Sequence, residues 1–173
     1  IEAANKSGIR VSNVGEYSTL YVAQHVFALI MQFSSSISLY NSAVKKGDWI
    51  TSHTFSFFDY PTFELSGLTL GIVGFGSIGK AVAKIADAFG MKVIVSTRTI
   101  PINAVYPYQF VTMDELLTRS DIITLHCPLT SDTQGLICEE TLSKMKESAI
   151  LINTSRGGVV VEQDLANALN NGL

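Results

Sequence analysis

Gly67-Leu68-Thr69-Leu70-Gly71-Ile72-Val73-Gly74-Phe75-Gly76-Ser77-Ile78-Gly79-Lys80-Ala81-Val82-Ala83 is the stretch that decides the fold of this chain. Leu68 to Val73 is an apolar run of strand length, and Ile78 to Phe89 is an Ala-rich, Pro-free stretch of helix length. Between them the glycines at 74, 76 and 79 fall as G-x-G-x-x-G. In a dinucleotide-binding turn each has its own task. Gly74 permits the tight turn, Gly76 leaves room for a pyrophosphate, and Gly79 lets the helix pack closely on the strand. The helix start, with the N–H groups of Ser77, Ile78 and Gly79 and the positive end of the dipole, faces an anion. Lys92 to Ser96 reads as a second strand, which completes the βαβ unit that gives the motif its meaning. A tight turn that binds nothing is the competing reading.

The segments after the turn keep alternating. Helix 78–89 leads to strand 92–96, and a short strand 108–111 follows a Pro-containing loop. Helix 113–119 leads to strand 121–126, helix 139–145 to strand 148–153, and helix 162–170 comes last. Short apolar strands alternating with helices predict a parallel sheet covered on both faces. The expected architecture is a doubly wound Rossmann sheet in three α/β/α layers, truncated at its C-terminal edge. Strand 148–153 would form that edge, open to pairing with another chain.

Before the turn, the pattern predicts a helix over 1–6, a strand-like segment over 9–14, and a loop over 15–19 in which Ser18 or Thr19 caps the next helix. From Leu20 to Tyr40 there is no Gly or Pro, and apolar residues at 22, 26, 29, 30, 33 and 37 predict one long helix. Its broad apolar surface needs cover, either from the sheet or from a second copy of the chain. The connector 45–66 carries Trp49 and the run Phe55-Ser56-Phe57-Phe58-Asp59-Tyr60-Pro61. These aromatics either meet a partner subunit or fold back over their own helix.

Bulk properties narrow the function classes. The chain has 173 residues, 47% of them hydrophobic and 16% charged, which suits one globular domain over 1–173 without a linker, internal repeat or low-complexity segment. Its net charge is −3 with no basic run, so nucleic acid is not an expected partner. Two cysteines, Cys127 and Cys138, stand outside any C-x-x-C or Cys/His cluster. They point to no disulfide framework, no metal site and a reducing, cytoplasmic setting. The apolar stretch 21–33 contains Gln24, His25 and Gln32 and is too short to span a bilayer. The chain opens on Ile1 instead of Met, which suggests a piece of a longer protein.

In a sheet of this kind a ligand lies across the carboxyl ends of the strands. After the glycine turn, the next such end is Ser96-Thr97-Arg98-Thr99. Thr97 stands about 18 residues past Gly79, where an NAD site places an acid for the ribose hydroxyls. No acid is there. Arg98, with the hydroxyls of Ser96, Thr97 and Thr99, suits a 2′-phosphate, so NADP is favoured over NAD. The third end is His126-Cys127-Pro128, where Pro128 forbids continuation of a central strand. Neither His126 as a base nor Cys127 as a nucleophile has a partner nearby in sequence. The fourth end, Asn153-Thr154-Ser155-Arg156-Gly157, delivers a cation able to grip a carboxylate and polarise a carbonyl.

Taken together, these residues resemble the D-isomer-specific 2-hydroxyacid dehydrogenases. The resemblance rests on Asn13-Val14 through Ser18-Thr19, Val22-Ala23-Gln24-His25, Gly67 to Gly79, His126 to Thr130 with Thr133, and Asn153 to Gly157, in the family's order. Trp49 and the approach Phe58-Asp59-Tyr60-Pro61 to Gly67 look most like glycerate dehydrogenases, also called hydroxypyruvate reductases. The resemblance implies hydride transfer between a nicotinamide and C2 of a 2-oxo or 2-hydroxy acid, with Arg156 binding the substrate. It implies cofactor contacts from Gly74, Gly76, Ser77, Ile78, Gly79, Ser96, Thr97, Arg98, Thr99, Cys127, Pro128, Thr133, Thr154, Ser155 and Arg156. It also implies a homodimer formed through 20–66, and an acid–base His with its Glu in segments beyond Leu173. None of His25, His53 and His126 matches that histidine, so the chain alone is expected not to turn over substrate. A non-catalytic dinucleotide-sensing module, like the family's corepressor members, is the second reading. A Rossmann domain that methylates or binds another nucleotide is disfavoured by the 126–130 and 153–157 motifs.

Overall fold

The computed structural model describes residues 1–100 and 107–172. Its elements are α1 (Glu2–Lys6), α2 (Thr19–Ser35), α3 (Ile37–Lys46), β1 (Thr69–Val73), α4 (Ser77–Ala88), β2 (Lys92–Ser96), β3 (Gln109–Phe110), α5 (Met113–Arg119), β4 (Ile122–Leu125), α6 (Glu139–Leu142), β5 (Ile150–Asn153) and α7 (Glu162–Asn171). The strands pair in the order β3-β2-β1-β4-β5, and every pair is parallel.

Side-chain alternation along the strands explains the layering. Leu70, Ile72, Val93, Val95, Ile122 and Ile152 point to one face, where Ala23, Val26, Phe27 and Ile30 of α2 and Val82, Ala83 and Ala86 of α4 cover them. Val73, Ile94, Ile123 and Leu125 point to the other, beneath Leu116 and Leu117 of α5 together with Ile137 and Val159. Both faces are buried, so the strands read as continuous apolar runs and not as alternating ones. The α/β/α sandwich expected from the sequence is present, with β3 and β5 as its outer strands. The Pro-containing loop expected before β3 lies partly outside the described residues.

The buried positions of α2, Ala23, Val26, Phe27, Ile30 and Ser34, follow helical spacing, and the helix packs chiefly along α4. Phe27 stacks on Phe89 with ring centroids 5.4 Å apart and planes 8° from parallel. Ile30 is fully buried, and each such side chain contributes about 1.5–3 kcal/mol. A capping box starts α5: the Glu115 N–H donates to Thr112 Oγ1 at 3.2 Å, and the Thr112 N–H donates to Glu115 Oε2 at 2.9 Å.

Two sequence expectations before the glycine turn are corrected. The single helix over 20–40 is two helices, broken at Ser36 (φ 48°, ψ 34°) and bent by 55°. The connector captures the break. Ser36 Oγ donates to the Pro61 carbonyl at 2.7 Å, and the Phe63 N–H donates to the Ser34 carbonyl at 2.9 Å, which a continuous helix would reserve for residue 38. Beyond the bend α3 runs on to Lys46 and ends on Gly47 (φ 89°), a left-handed cap. The strand expected over 9–14 is not formed. Ile9, Val11 and Val14 are 60%, 55% and 75% exposed, and a strand-like segment without a neighbouring strand has nothing to pair with.

Later boundaries shift by a few residues: the helix over 139–145 ends at Leu142, and the strand over 148–153 starts at Ile150. The aromatic connector divides between its two readings. Phe57 and Tyr60 stand edge-on to Tyr40 of α3, at 5.9 and 5.2 Å, and the Tyr40 hydroxyl donates to the Tyr60 carbonyl. Phe55 and Phe58 are 95% and 80% exposed. Among the described residues, no single helix is long and apolar enough to cross a membrane; α2 and α3 meet that length and composition only as a bent pair.

Candidate functional site

Register places four strand ends in one row. Val73 of β1 pairs with Ser96 of β2 and with Leu125 of β4, and Leu125 pairs in turn with Asn153 of β5. The Gly74 N–H donates to the Ser96 carbonyl at 2.8 Å, and the His126 N–H donates to the Val73 carbonyl at 2.7 Å. Each chain segment leaves the sheet at this level, and the loops beyond the strands surround a cleft of about 560 Å³.

The glycines of the turn meet different surroundings. Gly74 adopts φ 92°, and a Cβ there would lie 2.8 Å from the backbone of His126. A Cβ on Gly79 would come within 2.3 Å of the Gly74 carbonyl oxygen, so α4 approaches the turn as closely as backbone permits. Around Gly76 a Cβ would meet nothing within 4 Å. The space beside Gly76 is therefore open, and it adjoins the first residues of α4, whose N–H groups have no carbonyl four residues back within the helix. The Ser77 hydroxyl donates to the carboxylate of Glu16.

The cleft joins nine of the residues singled out from the sequence: Gly74, Gly76, Ser96, Thr97, Arg98, Thr99, Cys127, Pro128 and Thr133. Ser77, Ile78 and Gly79 open α4 beside it, while Thr154, Ser155 and Arg156 lie past β5 and do not line it. Lining residues that the sequence reading passed over include Met113, Asp132 and Leu136, while Phe75 and Thr130 were quoted within motifs without a site role. Met113 follows β3 by three residues, and the strand-end rule applied to that short strand would have found it. Thr133 shapes the loop itself: its hydroxyl donates to the Pro128 carbonyl at 2.5 Å and accepts from the Thr130 N–H at 2.8 Å. Asp132 brings a carboxylate into the cleft from the loop after β4, whereas the end of β2 carries the exposed cation Arg98.

His126 is largely buried, and burial lowers its pKa to about 4, so the ring is neutral at physiological pH. Its Nε2 lies 2.9 Å from Oγ1 of the fully buried Thr124. Burial raises the Cys127 thiol, away from the thiolate. At the fourth end, Asn153 holds the turn. Its Oδ1 accepts from the Ser155 N–H at 3.0 Å and the Ser155 hydroxyl at 2.8 Å, and its Nδ2 donates to the Arg156 carbonyl at 2.9 Å. The Arg156 guanidinium donates to the Ser155 carbonyl at 2.8 Å. Thr154 Oγ1 is buried and has no hydrogen-bond partner among the described residues.

An open approach at Gly76, unpaired N–H groups at a helix start and a buried unpartnered hydroxyl at the fourth strand end fit a dinucleotide laid across the sheet. The arrangement defines a dinucleotide-binding domain of the parallel α/β class. Residues 27–173 match the D-isomer specific 2-hydroxyacid dehydrogenase, NAD binding domain, and the chain belongs to that family. It is 46% identical over 171 residues to a glycerate dehydrogenase of Methylorubrum extorquens, covering 98% of this chain and 52% of that protein. With a hydroxypyruvate reductase of Blautia hydrogenotrophica it shares 41% over 173 residues, covering 99% and 54%. A D-lactate dehydrogenase of Aquifex aeolicus, solved with NAD and lactic acid, superposes with a TM-score of 0.83 at 36% identity, covering 99% of this chain and 50% of the other. The chain thus spans about half the length of these relatives.

The glycines give a first test. Gly79→Ala gains about 1 kcal/mol of helix propensity but drives a Cβ into the Gly74 carbonyl, and overpacking of that kind costs about 1–3 kcal/mol. A lowered melting temperature is expected for Gly79→Ala. Gly76→Ala should melt like the parent yet bind dinucleotide at least about tenfold more weakly, a loss of about 1.4 kcal/mol. Unchanged affinity in Gly76→Ala, measured calorimetrically, would refute the role given to that open space.

His126 gives a second. Its folded pKa lies below its ordinary value of 6.5, so the unfolded chain takes up the proton first as pH falls. Its contribution is fully present above about pH 6.5 and is lost as pH drops toward about 4, by up to ~3 kcal/mol. Urea midpoints measured across this window should fall with acid, and the slope should flatten in His126→Gln. An equal slope in that variant counts against the assignment.

Proposed function

We propose that the whole protein is an oxidoreductase that moves a hydride between a nicotinamide cofactor, NADP(H) in preference to NAD(H), and a small 2-hydroxy or 2-oxo acid of the hydroxypyruvate or glyoxylate kind. This chain is its dinucleotide-binding part; the acid–base His and its Glu belong to segments that follow α7, and a separate substrate domain completes the protein. The cofactor preference is carried by one observation: the end of β2 offers Arg98 among the hydroxyls of Ser96, Thr97 and Thr99, where an acid would repel a 2′-phosphate. The substrate class follows the two named relatives.

Bound at this site, the nicotinamide dinucleotide supplies the hydride acceptor or donor. The chain's own residues position it. Gly74, Gly76 and Gly79 with the N–H groups of Ser77 and Ile78 hold the pyrophosphate. Ser96 to Thr99 take the adenosine end, while Cys127, Pro128 and Thr133 wall the cleft. Thr154 and Ser155 serve the nicotinamide end, and Arg156 grips the substrate carboxylate in a fork and polarises the adjacent carbonyl. His126, neutral and paired with Thr124, has no acid–base part in this scheme. A sensing module would need the same cleft but has no use for Arg156, and that residue supports the enzyme.

The exposed Leu20, Tyr21, Phe33, Ile37, Phe55 and Phe58 support a homodimer through 20–66. Free Cys127 and Cys138 support a reducing, cytoplasmic compartment.

Calorimetric titration with NADPH and NADH tests the cofactor assignment. NADPH should bind more tightly, and Arg98→Ala should weaken it by about 10–100-fold, as expected for a hydrogen bond to a charged group, with little change for NADH. Tighter binding of NADH by the parent would overturn the preference. Sedimentation equilibrium tests the assembly: a dimer is expected at micromolar concentration, shifted toward monomer by Phe55→Ser with Phe58→Ser. A parent that stays monomeric throughout that range sinks the dimer.

A further inference from the structure

Glu16 belongs to a stretch, residues 9–17, that is exposed throughout and carries neither helix nor strand. Its carboxylate nevertheless reaches the glycine turn, where it accepts the hydroxyl of Ser77, the first residue of α4. That helix has 12 residues, and no acidic side chain of its own stands in its first turn. An anion at such a helix start is favoured by the unpaired N–H groups and by the dipole. The open space at Gly76 lies at the same end of the helix. One place is therefore suited to two anions: a carboxylate tethered to the chain and the pyrophosphate of a dinucleotide.

We propose that Glu16 is an internal competitor for the pyrophosphate position, so that a dinucleotide binds by displacing its carboxylate from Ser77. The proposal rests on the reading of Gly74 to Gly79 as the pyrophosphate turn. A tethered group competes at high effective concentration, and the two like charges repel at one helix end. The stretch that carries Glu16 leads directly into α2, so a contact that draws it away from Ser77 raises dinucleotide affinity. By reciprocity, bound dinucleotide releases that stretch for the same contact.

Glu16→Ala and Glu16→Gln are the direct test, because an exposed side chain can be changed without threatening the core. In calorimetric titrations both variants should bind NADPH, NADH and ADP about 2–5-fold more tightly than the parent, the scale of one charge at a helix terminus. Adenosine, which has no phosphate, should bind the parent and the variants alike. In a Ser77→Ala background the Glu16 substitution should lose its effect, since the anchor is gone. Equal affinity for the dinucleotides in parent and Glu16 variants, or weaker binding in the variants, overturns the competition while leaving the cofactor reading intact. Failure of parent and variants alike to bind either dinucleotide overturns both.

Discussion

The carbonyl of Gly74 is the stop against which α4 is set. One side of Gly74 presses on the backbone of His126, and its oxygen faces the α-carbon of Gly79 at a distance that leaves no room for a side chain. Three pieces of backbone, from the ends of β1 and β4 and the first turn of α4, are held in mutual contact. Backbone cannot rotate away as a side chain can, so this contact fixes where the helix dipole points. The row of strand ends does the rest. With Ser96, Val73, Leu125 and Asn153 aligned by register, each loop starts from the same level and the cleft opens along one side of the sheet.

Burial sorts the cleft's ionisable groups. Burial favours the neutral form of both His126 and Cys127, lowering the pKa of one and raising that of the other. Charge is left to the rim: Arg98 at the end of β2, Asp132 in the loop after β4, and the helix terminus at Ser77. An anionic ligand is consequently drawn by Arg98 and the helix end at the rim, and the floor contributes shape and apolar contact. This also explains why His126, though it sits at a strand end, has no acidic proton to give near neutral pH.

The parallel sheet was legible because burial on both faces forces strands such as Val93 to Val95 to be apolar at successive positions. The glycine spacing was legible because Gly74 and Gly79 answer to local steric demands, with Gly76 between them leaving open space. The break at Ser36 was not, since its cause is the connector around Pro61 and Phe63, some 25 residues away in sequence. Ile9-Arg10-Val11-Ser12 alternates as a strand would, yet pairing needs a neighbour that sequence periodicity cannot supply. In the site, strand-end residues were found by a positional rule, whereas Asp132 and Leu136 come from the interior of a loop where no period applies. Glu16 was invisible for the same reason: its contact with Ser77 spans 61 residues.

The two ends of the site are held by different forces. At the glycine turn the geometry comes from close backbone packing, which water does not compete for. At the fourth strand end, Asn153 is exposed, and the turn that carries Arg156 depends on the bonds of its side chain to Ser155 and Arg156. Hydrogen bonds of that kind are worth a net ~0.5–1.5 kcal/mol each, and solvent can replace them. The glycine turn is thus set by backbone packing, and the turn proposed to meet substrate by side-chain bonds that water can replace. An arginine on such a turn can follow a carboxylate through small shifts of the loop. Under the proposed function, a nucleotide placed against that packed backbone beside an arginine on a more replaceable turn suits acids whose side chains differ while their carboxylates do not.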